Sequence, residues 1–501
     1  MSEAHPLFAV LCKSADADCA TALERLVREA PDRRLNRINV LDFARREGLD
    51  EQRAITTFLH ATQIGLLDMS WNVLCPSCGG VLDANATLKT VRSHEYYCAF
   101  CAVSSEPTLD DVVEVSFTVS PRVRKIAAHN PDELPIWEYH RQIFWGTGVD
   151  LPDEKFEATC EQLTLDAVEL PAGDKAILSL QLPAEFVIVF EPVTHAAQFI
   201  QVKGEPAGER QNLALVYNNV RAPTGTLELR PGPLRLSLDN RTGARVLPTV
   251  WIAANDLQEL TSKRRPFLNA KRLLSNQTFR DIYRTDTLDV DQRLKITSLT
   301  FLFTDLKGST ELYERVGDLV AFDLVREHFR TLNDIVATEG GAVVKTIGDA
   351  VMATFLTPDH ALAAALKMRE AMRRLNETHG REDLLLKIGI HEGPCLAVNL
   401  NERQDYFGQT VNIASRVQGL AISRSILATA PVVHNPRSAS VLGSNGQKPV
   451  AQSRATRRHL GSGGLRDSLE PILLERGPPE MMVRTRVSDA ALRSLSERSG
   501  H

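Results

Sequence analysis

Three short segments carry residue types whose spacing could act on a phosphate-bearing ligand. In the first, Leu299-Thr-Phe-Leu-Phe-Thr-Asp305-Leu-Lys-Gly-Ser-Thr310, an apolar run ends on a carboxylate, and a Gly308-Ser309-Thr310 turn opens a helix at Glu311. Such a turn leaves backbone N–H groups free where a phosphate could sit. In the second, Val343 to Phe355, two β-rich runs flank Gly348-Asp349, the pattern of a hairpin whose tip presents another carboxylate. The third runs from Asp405 to Arg416; if it is helical from Gln409, Asn412 and Arg416 are four apart and share a face. Taken singly, each has a bland explanation in loop polarity, turn formation or a solvated helix face. Together and in this order they are far more specific.

A further constellation is Cys75-Pro-Ser-Cys78, nineteen residues, then Cys98-Ala-Phe-Cys101. Two C-x-x-C knuckles at that spacing read as a tetrahedral four-thiolate site for one structural Zn²⁺, with no position left open for chemistry. Paired knuckles also argue for a reducing compartment. Cys12, Cys19, Cys160 and Cys395 have no partner pattern and read as buried thiols, and His94 reads as a surface residue.

The phosphate-facing segments resemble the class III adenylyl/guanylyl cyclases, of the bacterial type with an N-terminal regulatory region. Phe303-Thr-Asp305-Leu-Lys-Gly-Ser-Thr matches the first metal motif, Lys345-Thr-Ile-Gly348-Asp349 the second, and Asp405 through Arg416 the family's D-x-x-G-x-x-V-N-x-A-x-R without a gap. The resemblance implies a ferredoxin-like α/β domain in which Asp305, Asp349 and the Leu306 carbonyl hold two Mg²⁺ or Mn²⁺ ions. It implies that Lys345 and Asp405 read the base, Asn412 orients the ribose and Arg416 stabilises the transition state. The family site lies across a dimer interface. All of these residues occur in this one chain, so a homodimer would build two equivalent sites.

Base choice follows from polarity. Adenine offers a ring acceptor beside an amino donor, which a Lys donor and an Asp acceptor complement. Guanine reverses both, and the Glu and Cys that guanylyl cyclases of the family usually place here are absent. ATP is the expected substrate and cyclic AMP the product. Guanylate or relaxed specificity, and a catalytically impaired scaffold, stay open as alternatives.

The surrounding elements must position these groups. Residues 31–72 carry two short helical stripes and a strand-like exit, a winged-helix-like unit; 73–104 is the zinc ribbon. Short period-two runs punctuated by Gly and Pro predict a β-sandwich regulatory domain over 105–255. Charged helical sequence over 256–294 reads as a transducer linker, with Leu273, Leu274, Phe279 and Ile282 as its apolar seam. Alternating strands and helices at 295–436 form the catalytic domain, and 437–501 reads as an irregular Arg-, Gly- and Ser-rich tail lacking the usual closing strand. The fold class is multidomain α+β.

At 501 residues and 43% apolar, the chain has ample material for such cores. A formal net charge of −5 argues against bulk nucleic-acid or membrane binding. No run approaches the ~20 apolar residues of a membrane span, and no Lys or Arg precedes the apolar run from Pro6 to Cys12, as a secretory signal requires. A cytoplasmic protein is expected. The ligand or protein partner of the N-terminal region is not legible.

Overall fold

The structure, a computed structural model, describes residues 4–92, 95–218, 225–283, 288–289, 292–400, 403–451 and 471–476. Two helices precede the predicted helical stripes: α1 (Ala4–Ser14) and α2 (Ala17–Glu29), the latter capped by Asp16 on the Cys19 N–H. Asn39 caps α3 (Val40–Glu47), Gly48 ends it in the left-handed conformation at φ 67°, and Asp50 caps α4 (Glu51–Gln63). Strands β1 (Leu67–Leu74) and β2 (Val81–Asn85) follow, then the small pair β3 (Tyr96–Cys98) and β4 (Val103–Ser105), then β5 (Val113–Val119).

β5 pairs antiparallel with β1 from Leu67↔Val119 to Val73↔Val113. It therefore belongs to the first unit and not to the sandwich, which corrects the boundary expected at 105. α1 and α2 likewise share the core of residues 31–72, since Leu11, Leu23, Phe43, Phe58 and Phe117 all lie in it.

After two short helices, α5 (Ile136–Tyr139) and α6 (Phe156–Gln162), comes a two-sheet unit. Its strands are β6 (Thr164–Ala167), β7 (Lys175–Leu182), β8 (Phe186–Glu191), β9 (Ala196–Val202), β10 (Gln211–Tyr217), β11 (Thr226–Leu229), β12 (Gly232–Asn240) and β13 (Thr249–Ile252). One sheet has the order β10-β12-β7 and the other β11-β9-β8-β13-β6. Leu180, Leu234 and Leu236 from the first meet Val187, Ile200 and Val250 from the second in one core. A sandwich is present, but over residues 164–252.

The predicted linker is three short helices, α7 (Asn255–Ser262), α8 (Ala270–Leu274) and α9 (Gln277–Ile282). It is not a free connector. Leu273, Leu274 and Phe279 are buried in the same core as Trp71 and Phe117.

The C-terminal domain begins with β14 (Leu294–Leu306), followed by α10 (Ser309–Val316), α11 (Asp318–Thr338), β15 (Ala342–Ile347), β16 (Ala350–Phe355), α12 (Pro358–Thr378) and β17 (Leu386–Leu400). The antiparallel order β15-β16-β14-β17 is the ferredoxin-like arrangement. Next come β18 (Arg403–Phe407), which pairs with β17, then α13 (Gln409–Leu420), β19 (Ile426–Thr429), α14 (Ala430–Val433), α15 (Pro436–Ser444), β20 (Gln447–Ala451) and β21 (Pro471–Arg476). The expected end at 436 is too early. β21 inserts between β19 and β20, burying Leu474, so the apolar run near Pro471 is the closing strand that local sequence hid. Residues 452–470 and 477–501 of the expected tail lie outside the described residues.

Side chains alternate along β14. Leu302 and Leu306 join α11 and α12 in one core; Phe301 and Phe303 join Trp71, Phe279 and Tyr406 in the core shared with the N-terminal region. No helix among the described residues is long and apolar enough to cross a membrane.

α13 lies so close to β17 that Gly389 cannot carry a side chain: a Cβ there would overlap the backbone N and Cα of Gln418. Gly389→Ala should cost about 1–3 kcal/mol of stability by forcing the helix off the sheet. Urea denaturation checks this, and an unchanged midpoint would show that the helix shifts freely.

Candidate active site

Asp305 is delivered by the end of β14. Antiparallel register places Lys387 of β17 directly across from it, and Lys387 Nζ stands 2.6 Å from Asp305 Oδ2. The β15–β16 hairpin brings the second carboxylate. Gly348 turns its tip at φ 62°, a left-handed conformation that favours glycine, and Asp349 follows. The Val351 N–H donates to Thr304 Oγ1 at 3.1 Å, tying the hairpin to β14 one residue before Asp305.

Asp349 Oδ2 is buried and has no hydrogen-bond partner among the described residues. A buried, unpaired carboxylate oxygen is costly, and a bound divalent cation would remove that cost. Hard oxygen donors of this kind suit Mg²⁺ or Mn²⁺, so the pair Asp305 and Asp349 fits such ions. Leu306, the last residue of β14, is buried, and its carbonyl ends the strand beside Asp305. Gly308 precedes α10 in the left-handed conformation at φ 73°. The side chains of Ser309 and Thr310 lie outside what the structure describes.

Lys345 and Asp405 are sixty residues apart in sequence and in direct contact, Lys345 Nζ donating to Asp405 Oδ2. The Asp405 side chain is only 8% exposed while that of Lys345 is 41% exposed. The Tyr406 N–H donates to Asp405 Oδ1 at 2.8 Å and fixes the carboxylate plane. Asn412 and Arg416 both lie exposed on α13, on one face as the four-residue spacing requires.

The fold thus joins Lys345 to Asp405 and sets Asp305 and Asp349 at the ends of the neighbouring strands β14 and β16. Among the described residues, Asn412 and Arg416 make no side-chain hydrogen bond or ion pair to Asp305, Asp349, Lys345 or Asp405. Lys387 was missed from sequence. Its available signal was a single cation inside the apolar run Leu384-Leu-Leu-Lys387-Ile-Gly-Ile390, but only register shows that it faces Asp305.

The ribbon cysteines also converge. One sulfur from each of Cys75, Cys78, Cys98 and Cys101 lies within 4.8 Å of all the others. The first knuckle is a tight turn in which the Gly79 N–H donates to the Cys75 carbonyl at 2.9 Å and the Gly80 N–H donates to Cys78 Sγ at 3.4 Å. Hydrogen bonds from Cys101, Cys78 and Cys98 hold the Cys75 thiol far below the ordinary thiol range. Four convergent thiols are the donor set that Zn²⁺ takes as thiolates. Around them pack Phe100, Phe144, Trp145 and Trp251, in a core that also takes Ile188, Phe190 and Phe199 from the outer face of the five-stranded sheet, opposite the sandwich interior.

Two family models match the chain. Residues 1–281 match a family of unknown function (DUF5939), and residues 292–446 match the adenylate and guanylate cyclase catalytic domain. The chain is similar to an adenylate cyclase of Anabaena cylindrica, 32% identical over 152 residues, which is 27% of this chain and 30% of that one. It is similar to adenylate cyclase 2 of Rhizobium meliloti (strain 1021), 33% identical over 152 residues, 27% of this chain and 41% of that one. The chain therefore spans less than half the length of either relative. Among solved structures it is similar to the adenylyl cyclase CyaB from P. aeruginosa, at 20% identity and a TM-score of 0.31, covering 37% of this chain and 97% of that one.

If the four thiolates hold structural zinc, the metal contributes folding free energy to the ribbon outright. Chelation, or Cys75→Ser with Cys98→Ser, should lower the melting temperature of the N-terminal region and expose Trp145 and Trp251 to quenchers. Purified protein with no zinc by elemental analysis would overturn this assignment.

Proposed function

The chain belongs to the family of unknown function DUF5939, and we propose that the cyclase domain behind that region converts ATP to 3′,5′-cyclic AMP and pyrophosphate as a homodimer. The observation that carries this reading is the Lys345–Asp405 contact, a donor and an acceptor held together on the same domain as the Asp305–Asp349 pair. Two Mg²⁺ or Mn²⁺ ions, when held by Asp305, Asp349 and the Leu306 carbonyl, would activate the ribose 3′-hydroxyl and neutralise charge on the leaving pyrophosphate.

The chain's own residues do the rest. Lys345 donates to the adenine ring nitrogen and Asp405 accepts from the amino group, each giving up part of its bond to the other. Lys387 adds positive charge at the carboxylate end, where the polyphosphate collects. The backbone N–H groups of Gly308, Ser309 and Thr310 offer further donors to phosphate oxygens. Arg416 supplies a fixed positive fork where charge develops at the α-phosphoryl group, and Asn412 orients the ribose.

Arg416 and Asn412 are exposed and, among the described residues, form no hydrogen bond or ion pair with Asp305 or Asp349 of their own chain, which supports completion of each site by a second copy. The exposed apolar side chains Ile347 (54%) and Phe407 (63%), one beside each functional pair, support burial of this surface in a dimer. The N-terminal region is read as the regulatory part, holding one structural Zn²⁺.

Asp305→Ala and Asp349→Ala should each lower cyclic AMP formation by at least about a thousandfold while the protein stays folded, because either change removes a metal carboxylate. Mixing Asp349→Ala with Arg416→Ala protein should restore part of the activity, since one heterodimer site keeps both intact halves. Two silent variants that remain silent after confirmed subunit exchange would exclude the composite site.

Lys345→Glu with Asp405→Cys should move preference toward GTP, because each mismatched polar contact costs on the order of 1–3 kcal/mol. The ratio of kcat/KM for the two nucleotides decides it. Rates that fall together at a constant ratio would show that these residues do not read the base.

A further inference from the structure

Lys345 and Asp405 sit on strands that no ladder joins. β15 pairs with β16 at one edge of the sheet, whereas β18 pairs with β17. β18 instead folds across the sheet face, where Tyr406 packs edge-on against Phe301 with centroids 5.6 Å apart. Apolar contact of that kind is non-directional, so it adds little to the Lys345–Asp405 bond itself in fixing the distance between the two strands.

One side chain from outside the domain spans them. Arg280, on α9 at the end of the N-terminal region, donates from Nε to the Val343 carbonyl at 3.2 Å and from Nη2 to the Val344 carbonyl at 3.3 Å. The same Nη2 donates to the Gln404 carbonyl at 2.8 Å. Val344 and Gln404 are the residues immediately before Lys345 and Asp405. One turn earlier on the same helix, Gln277 Oε1 accepts from the Val343 N–H at 2.8 Å. The guanidinium also stands 6.0 Å from the Tyr406 ring centroid, and the Tyr406 hydroxyl donates to the Leu274 carbonyl of α8 at 3.4 Å.

We propose that Arg280 is a positioning residue for base recognition, through which the N-terminal region sets the spacing of Lys345 and Asp405. The proposal rests on the reading of that pair as the base-recognition group. A guanidinium suits the task because it is planar, charged at every working pH and able to donate along several fixed directions at once. Its three acceptors are main-chain carbonyls, so what it holds is the path of both strands and not any one side chain. A shift of α9 relative to the sheet therefore changes the gap between Lys345 and Asp405 directly. α9 is itself fixed in the N-terminal core by Phe279, which is buried against Trp71 of β1 with centroids 5.9 Å apart. The path from the N-terminal sheet to the base pair is thus β1, α9, Arg280 and the two strands.

The experiment compares the full-length wild type with Arg280→Ala and Arg280→Lys by two independent readouts. Amide hydrogen exchange should rise about tenfold in 342–347 and 403–407 of Arg280→Ala, and not in β19, since only the clamped strands are released. The ratio of kcat/KM for ATP over GTP should fall about tenfold, as expected when reacting or recognising groups are misplaced by a fraction of an ångström. Arg280→Lys keeps the charge and loses the fork, so both effects should be intermediate; it also carries the test if the alanine variant does not fold. Folded variants with wild-type exchange in both strands would overturn the clamp. Loosened strands with an unchanged nucleotide ratio would overturn its role in base recognition. A wild-type protein that cyclises neither nucleotide would overturn the cyclase reading instead, and exchange would still decide the clamp.

Discussion

The alternation of side chains along β14 is the constraint on which the rest of the molecule depends. A strand points successive residues to opposite faces, and a slip of one residue exchanges the faces. In β14 the two faces face different structures. Leu302 and Leu306 seal the core under α11 and α12, while Phe301 and Phe303 are buried against the N-terminal region and Tyr406. Asp305 continues the second row, so the register that satisfies both cores also points this carboxylate toward Lys387. The chemistry is placed by packing.

Because Phe301 and Phe303 pack into the N-terminal core, the C-terminal sheet and the N-terminal region are not beads on a string. The contact is polar as well as apolar. Buried Asp110, in the turn before β5, accepts from the Thr297 N–H at 2.6 Å and pairs with Lys271 of α8 at 2.9 Å. The Leu109 N–H donates to the Lys295 carbonyl at 2.9 Å. Directional bonds of this kind resist sliding, which apolar contact alone does not. The N-terminal region is therefore joined to the start of β14, to β15 and to β18 by direct contacts, without a long helix between the parts.

The cysteine knuckles have a comparable role at the other end of the N-terminal region. The strands around them are only three residues long in β3 and β4, too short to hold a fold by themselves. Phe100 lies between the knuckles and the sandwich, in edge contact with Phe144, Phe190 and Trp251. Fixing the cysteines thus also fixes the aromatic cluster that joins ribbon to sandwich.

Residue types and local spacing were enough to single out the segments around Asp305, Asp349 and Asp405, the cysteine knuckles and most strands, because each is written in a few consecutive positions. Lys345 and Asp405 were linked only through the family resemblance, and their contact across sixty residues is made by the fold. The stop at Gly48 and the cap at Asp50 are local in the same way. Pairing partners were not. The period-two run at β5 looks like any sandwich strand, and only its ladder with β1 assigns it to the first unit. β21 looked like an isolated apolar scrap until β19 and β20 closed on it. Lys387 gained significance only from standing across from Asp305, and Arg280 only from reaching two strands 63 and 124 residues away. Local sequence determines what each short segment can be, since capping, turns and metal ligation are short-range. Which segments meet is decided by shared burial and register, and those exist only once distant parts of the chain have packed together.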